Sequence, residues 1–591
     1  MQITTKIFFI FIFLFIFFSA NSFCQGFLKA DGKKIINDRG ENILLRGMGL
    51  GGWMLQEGYM LRITNEGQQH KIRKRLEDLS SPKQTEEFYD TWLTNNTRKV
   101  DIDSMKSWGF NSVRLPIHYN LYTLPVEKEP VKGGNTWLDK GFQITDSLLS
   151  WCKANKMYLI LDLHAAPGGQ GNDVNISDGD TTQPTLWASE ENKQKTIALW
   201  KKLAERYANE PWIGAYDLLN EPNFGFEDPV NDKNGIKEKK NEPLVHLLKE
   251  ITSVIRQVDK KHIIIIEGNG WGNNYNGMLP PWDNNMVLSF HKYWNFNTDK
   301  EISSMLNARE KYNVPVWLGE TGENSNVWFT EAISLLEKHN IGWSWWPLKK
   351  MGLGNPFEIF ANHNFMQVVD FFNGKGPQPK ESDVYSGIIE AAVYSKAEYC
   401  IFHPDVIDAM FRQVYSNEAI PYGKNIIKNK TIIKAIDYDL GRNGYAYYDR
   451  DTANYHVSGL PGRGNKGNTY RNDGVDIRKD SMHYEQYFVS DIEDGEWLQY
   501  TVTASAPGTH TLRIYFGSLD KKGTINIMLN GKLIAENIYL PATGGMKEWK
   551  TLDINNLRLT GKKDRLRIKA THGGFNLKQL EFLQPASTKT K

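Results

Sequence analysis

Between Ile43 and Trp346, short β-branched or apolar runs alternate with longer amphipathic stretches eight times, and few folds accept that order. The runs are Ile43–Met48, Ser112–Ile117, Met157–His164, Gly214–Glu221, His262–Glu267, Met286–His291, Val314–Glu320 and Ile341–Trp346. Each is short enough for a strand and apolar along its whole length, which suits a strand covered on both faces. Helical periodicity fills the intervals, as in Asp139–Asn155, Glu191–Ala208 and Glu242–Asp259. Eight such units in about 300 residues predict an α/β fold with a closed (β/α)8 barrel.

The 591 residues exceed what one core can organise, so further domains are expected. After Trp346 the stretch Asn355–Asn417 is mixed and largely helical, and the Lys- and Asn-rich stretch Tyr422–Lys430 suggests a linker. Beyond it, period-two runs recur: Glu496–Val502, Thr511–Phe516, Ile525–Gly531 and Leu566–Lys569. Broken by Gly, Asn and Pro, they predict an antiparallel β-sandwich of jelly-roll type. The expected division is 1–24 signal peptide, 25–350 barrel, 351–421 helical extension, 422–431 linker and 432–585 sandwich.

Lys6, the apolar run Ile7–Phe18 and the residues Ser19 to Gln25 read as a cleavable export signal, too short to span a bilayer comfortably. Cleavage after Ala20 or Cys24 fits. The alternative, lipid attachment at Cys24, is disfavoured by Phe23. A secreted protein without a membrane span is expected. Only Cys152 and Cys400 remain, too few for a disulfide scaffold, and their pairing stays open. Lysine plus arginine number 71 against 69 aspartate plus glutamate, interspersed, which argues against nucleic acid as a partner and for a neutral one. Aromatics at 12 % suit stacking on sugar rings as well as core packing.

A barrel carries its chemistry at the carboxyl ends of its strands, and here those ends are polar. Arg114 follows Ser112-Val113, His164 closes the third run, Asn220-Glu221 the fourth and Glu267 the fifth. His291 and Tyr293 close the sixth, Glu320 the seventh, and Trp345-Trp346 the eighth. Two glutamates on facing strand ends are what glycoside hydrolysis requires, one to protonate the leaving oxygen and one to attack the anomeric carbon. Glu323 and Glu267 compete with Glu320 for the attacking role. Glu320 is preferred because the apolar run stops there and Thr321-Gly322 begin a loop, while Glu267 is expected at the mouth of the site. Arg114 is expected to keep Glu320 ionised, and His291 with Tyr293 to hold its charge. Alternation sends Trp345 and Trp346 to opposite faces, one toward the site. The loop Gly168–Thr185 is expected to wall one side of the cleft.

The motifs Leu45–Trp53, Val113-Arg114-Leu115-Pro116, Asp162–Gly168, Leu219-Asn220-Glu221-Pro222 and Leu318-Gly319-Glu320 resemble glycoside hydrolase family 5, the cellulase A family, over roughly Gly32–Leu348. The resemblance implies a retaining double displacement with Glu221 as acid/base and Glu320 as nucleophile. Arg114, His164, Asn220, His291, Tyr293 and Trp346 would form the supporting shell, with no metal or organic cofactor. The implied substrate is a β-glucan polysaccharide or oligosaccharide, met by a monomer acting as an endo-β-1,4-glucanase. Similarity of Gly49–Glu57 and Ala165–Gln170 to exo-β-1,3-glucanases keeps that linkage as an alternative. Transglycosylation and a non-catalytic polysaccharide-binding role are the others.

Residues 432–583 resemble a family 6 carbohydrate-binding module through Tyr470–Ile477, Gly495–Val502 and Gly573–Leu577. Of the three groups forming that family's sugar cleft, Asn576 matches, while Asp491 and Met546 stand at the aromatic positions. Lys434 and Ile436 replace the acidic pair of its structural calcium site.

Overall fold

The computed structural model describes residues 26–451, 464–480, 486–519 and 523–584. The expected signal peptide lies outside them. Eight parallel strands close into a barrel. They are β1 (Arg46–Gly49), β2 (Ser112–His118), β3 (Tyr158–Ala165), β4 (Ile213–Asp217), β5 (Ile263–Glu267), β6 (Met286–Lys292), β7 (Val316–Gly322) and β8 (Gly342–Trp346). Register runs from Gly49 opposite Arg114, through Asp162 opposite Asp217, to Trp343 opposite Leu318 and Arg46. Each of β2 to β8 is buried along its whole length, which is why these runs read as continuously apolar.

The strand boundaries differ from the sequence reading by a few residues, and two of the differences bear on the site. β4 stops at Asp217, so Leu218–Glu221 form an irregular extension beyond the ladder. β7 continues through Thr321 and Gly322, so Glu320 sits inside a strand rather than at its end. Apolarity does not mark pairing: in the first case the buried chain runs on past the ladder, and in the second the ladder and its burial continue through polar Thr321 and Gly322.

Helices cover the barrel, several opened by a side chain the sequence displays. Ser189 accepts the Asn192 N–H at the start of Glu190–Tyr207, and Ser325 accepts that of Trp328 at the start of Asn326–Lys338. Outside this ring lies a second helical layer. Gln69–Leu79 and Pro82–Asn95 pack against His363–Phe372 and Glu381–Tyr394 around Phe88, Trp92, Phe365, Val384 and Ile388. This gives most of Asn355–Asn417 its purpose: each helix is amphipathic only with respect to the others. The layer grips the loop after β1 through two indoles, Trp92 Nε1 donating to the Gly52 carbonyl at 2.7 Å and Trp53 Nε1 to that of Leu93 at 2.8 Å.

The C-terminal region is a two-sheet sandwich over its own core. One sheet contains Trp497–Ala504, Lys563–His572, Thr524–Leu529 and Lys532–Tyr539, the other Tyr487–Val489, Phe575–Leu583, Gly508–Ser518 and Gly545–Leu559. The stretch expected to be a linker is part of it: Ile426–Ile427 pair with Thr503 and Ala504, and Ile427 is fully buried. Its lysines face solvent, as Ile426 does, while Ile427 enters the fold. Cys152 and Cys400 are both free thiols. No helix among the described residues is long and apolar enough to cross a membrane.

Phe88 is 1 % exposed at the centre of the outer helical layer. Phe88→Ala is expected to cost about 3–5 kcal/mol there, read as a lowered urea midpoint.

Candidate active site

At the carboxyl face of the barrel, one guanidinium organises the acidic groups. Arg114 on β2 is fully buried. Its Nε donates to Asp217 at 3.1 Å, Nη1 to Glu320 at 2.7 Å, and Nη2 to Asn220 Oδ1 at 2.8 Å and to Glu267 at 3.0 Å. Asp162 lies 3.2 Å from Nη1. Burial opposes the charge on Arg114, yet Asp162, Asp217, Glu320 and Glu267 together hold its pKa well above the ordinary value. A buried cation with this many partners is a fixed charge.

Glu320 uses both carboxylate oxygens: Oε2 accepts from Arg114, and Oε1 accepts the Tyr293 hydroxyl at 2.7 Å. Burial first, then the charge on Glu320, pushes the Tyr293 phenol well up, so that hydroxyl remains a donor. Glu221 faces this pair. It sits at φ +43° in the irregular extension of β4, and its N–H donates to Glu267 at 2.7 Å, which fixes the unusual backbone. His291 Nδ1 lies 2.7 Å from Glu221 Oε1, and its Nε2 lies 3.2 Å from Glu267. Burial raises the Glu221 carboxyl; His291 opposes this, and Glu320 and Glu267 add to the rise. Burial works against a charged His291, but the surrounding Glu267, Glu320 and Glu221 hold it well above an ordinary histidine. Glu221, His291 and Glu320 each place an atom within 4.8 Å of the other two.

That trio is spaced as a metal site would be, but three of its four carboxylate oxygens already have a hydrogen-bond partner. Glu320 is capped on both oxygens by donors, and the Arg114 charge lies beside it. The donor set suits a held carboxylate better than a cation.

His164 and Asp162 alternate onto one face of β3, so Asp162 accepts the His164 Nδ1–H at 2.8 Å. Asn220 Nδ2 then lies 3.3 Å from His164 Nε2. The His164 ring stacks on Trp346, with centroids 5.2 Å apart and planes at 3°. Trp346 Nε1 donates to the Tyr59 hydroxyl at 2.9 Å, whereas Trp345 turns outward against Phe329 and Trp328. Room for the Trp346 indole comes from glycine: a Cβ on Gly51 would lie 2.4 Å from it, and one on Gly49 would lie 2.9 Å away.

The structure thus brings together Arg114, His164, Asn220, Glu221, His291, Tyr293, Glu320 and Trp346. Asn576 is elsewhere, 3 % exposed in the sandwich and donating to the Met546 carbonyl at 2.9 Å. Two expected roles change. His291 bonds Glu221 rather than Glu320. Glu267 is not at the mouth but fully buried under the site, where burial is outweighed by His291 and Arg114 and its pKa falls to about 2.

Several contributors went unread in the sequence. Gln170 Nε2 ties the carbonyls of His164 and Asn220 at 2.7 and 2.9 Å, and Asp162 and Asp217 anchor Arg114. The i, i+2 spacing of Asp162 and His164 was a usable signal for the first aspartate. Glu57 lies 3.9 Å from His164 Nε2, and burial, then the charges on Glu320, Glu323 and Glu221, raise it well above the usual range. Asp178 binds His70 Nδ1 at 2.7 Å and His118 Nε2 at 3.0 Å, pinning the loop Gly168–Thr185.

Residues 74–352 match the family described as Cellulase (glycosyl hydrolase family 5), so the barrel is a family 5 glycoside hydrolase domain. Residues 471–582 match the carbohydrate binding module of family 35. This corrects the family 6 expectation. At the positions expected to be aromatic, Asp491 pairs with Arg478 at 2.8 Å and the Met546 carbonyl accepts from Asn576 at 2.9 Å. Curated relatives include a beta-xylosidase of Phanerodontia chrysosporium, 26 % identical over 59 % of this chain and 76 % of that protein. Endoglucanase C of Acetivibrio thermocellus is 25 % identical over 47 % and 88 %, and a glucan 1,3-beta-glucosidase of Candida oleophila is 26 % identical over 44 % and 58 %. Among solved structures, endoglucanase Cel5A of Thermotoga maritima is 20 % identical, with 49 % and 90 % covered at a TM-score of 0.35, which adds nothing to the barrel's own strand pairing.

Gly51→Ala is expected to displace Trp346 and lower glycosidase turnover by about 10²-fold, with a lowered urea midpoint from an overpacking cost of about 1–3 kcal/mol. Glu267→Gln removes a charge that raises His291, so His291 should lose its proton at lower pH, followed by imidazole NMR.

Proposed function

We propose that the chain is a secreted, retaining β-glucan hydrolase in which Glu320 is the nucleophile and Glu221 the acid/base. The observation that carries this is the paired geometry. A Glu221 oxygen and a Glu320 oxygen approach within 4.8 Å, close to the ~5–5.5 Å of retaining enzymes and short of the ~6.5–9.5 Å that inversion needs for its water. The surroundings of the two carboxyls support this division of roles. Glu320 has a donor on each oxygen, the arrangement an attacking carboxylate needs. Glu221, whose pKa burial raises, carries the proton.

In the first step Glu221 protonates the glycosidic oxygen as Glu320 attacks C1, giving a glycosyl ester on Glu320. In the second, Glu221 takes a proton from water, which attacks C1 and releases the sugar with its β configuration. Arg114 and Tyr293 offset the charge of Glu320 before attack and after its release. His164 and Asn220 lie beside the nucleophile for the ring hydroxyls, and Trp346 offers an aromatic face to the sugar.

Endo-β-1,4 cleavage is the preferred action, supported by the similarity to endoglucanase C. Exo-β-1,3 cleavage is the second reading. It is favoured by polar groups crowding the Trp346 side: Glu57, Tyr59, and Glu323 bonded to Lys350 at 2.7 Å, a wall suited to a chain end. The signal-like pattern of residues 1–24 supports secretion, and the family 35 match supports a polysaccharide substrate.

Proton NMR of early hydrolysis should show the β-anomer forming first; the α-anomer first would exclude retention. Glu320→Gln should lose at least about 10³-fold in kcat while staying folded. On a panel of β-1,3-, β-1,4- and mixed-linkage glucans, a ladder of β-1,4 oligomers supports endo action, and glucose alone supports exo action. Because burial raises Glu221, its protonated form persists above the ordinary glutamate range near 4.3. Rate should therefore fall as pH rises through that elevated value, and kcat/KM profiles should place the alkaline limb above it.

A further inference from the structure

The segment following the nucleophile strand is held from outside the barrel. Asn324 lies two residues past the end of β7, and the sandwich residue Asn472 grips the chain from there to Asn326. Asn326 N donates to the Asn472 carbonyl at 2.8 Å. Asn472 Nδ2 donates to the Asn324 carbonyl at 2.9 Å and to Asn326 Oδ1 at 3.1 Å. Its N–H reaches Asp405 Oδ2 at 2.8 Å, where Asn326 Nδ2 also donates at 2.7 Å. Asp405 belongs to the helix Pro404–Met410, so three separate stretches of chain meet at one carboxylate oxygen. Asn324, Asn326, Asp405 and Asn472 are each at most 3 % exposed.

The sandwich side of this contact is rigid. Arg471 is 1 % exposed, donates Nη1 to the Tyr438 carbonyl at 2.6 Å, pairs with Asp473 at 3.0 Å and lies 3.7 Å from the Tyr438 ring centroid. A module that only captures substrate needs a tether, and contacts between such domains are ordinarily open to relative motion. A buried polar network is specific to one arrangement, because every group it contains loses its partner if the domains part.

The arc between the two anchors has little slack. Glu320 is tied by Arg114 and Tyr293, and Asn326 by the clamp. Between them, Gly322 takes φ +140° with its Cβ direction blocked 2.4 Å away by the Trp346 carbonyl, and Glu323 takes φ +48°. A non-glycine residue stays in the left-handed region when its surroundings over-determine it. Lys350 on one side and the Asn472 clamp on the other supply that constraint.

We propose that the sandwich braces the catalytic strand. Asn472 is a positioning residue that acts through Asn324–Asn326 to set where Glu320 and Glu323 stand. The module therefore contributes to the chemical step even for a substrate it never touches. This rests on Glu320 being the nucleophile.

The test uses the full chain with a soluble 4-nitrophenyl β-glycoside too small to reach the sandwich. A 2-deoxy-2-fluoro glycoside counts competent sites by titration. In Asn472→Ala, kcat per titrated site is expected to fall about tenfold or more, with KM within about twofold. Asp405→Asn retains an acceptor oxygen for both N–H groups and is expected to stay near the parent. Asn326→Ser, which loses the side-chain bonds but keeps the backbone bridge, should share the kcat loss and serves if Asn472→Ala does not fold. Unchanged kcat per site in either clamp variant, or a loss seen only on polymeric glucan, overturns the brace. A parent that cannot be titrated, or an active Glu320→Gln, instead overturns the nucleophile assignment.

Discussion

The site depends on one buried cation. Arg114 has no contact with solvent, and its guanidinium is shared by Asp162, Asp217, Glu267 and Glu320. Taking a single charge out of water is costly, and the cost is met only when partners are fixed at hydrogen-bond distance. That requirement locks β2, β3, β4, β5 and β7 to one another at their active ends. Truncating Arg114 would leave several carboxylates crowded in a dry pocket, which is why the residue serves the fold and the proposed chemistry at once.

From that cation, two carboxyls acquire different characters. Glu320 accepts from Arg114 and Tyr293; Glu221 receives burial, which raises its carboxyl, and a histidine whose own charge is maintained by Glu267. Divergent environments for neighbouring carboxyls are how a single fold assigns an acid and a nucleophile at one pH. Glu267 links the halves, since it touches Arg114 on one side and the Glu221 backbone and His291 on the other.

Much of this was legible because burial leaves a strong trace in sequence. Ile263–Ile266 can be little other than a doubly covered strand, and polar residues closing such runs are placed by the barrel at one face. What escaped was whatever depended on a distant partner. Glu267 ends its strand just as a mouth residue would; only Arg114 and the Glu221 N–H reveal that it lies beneath the site. Gly545–Leu559 is a long strand with a mostly exposed, polar face, so no period-two signal marked it. The helices His363–Phe372 and Glu381–Tyr394 acquire meaning only against Phe88 and Trp92, more than 200 residues earlier. Asn472 looked like part of a module motif, and its clamp on Asn326 is a contact between domains that local pattern cannot carry.

The central claim is that Glu320, held by Arg114 and Tyr293, forms the covalent intermediate. Peptide mapping by mass spectrometry after trapping with a 2-deoxy-2-fluoro β-glycoside tests it most directly. The account predicts a single glycosyl ester on Glu320. An ester on Glu323 or Glu267, or hydrolysis that proceeds without any trapped ester and with inverted product, would contradict it.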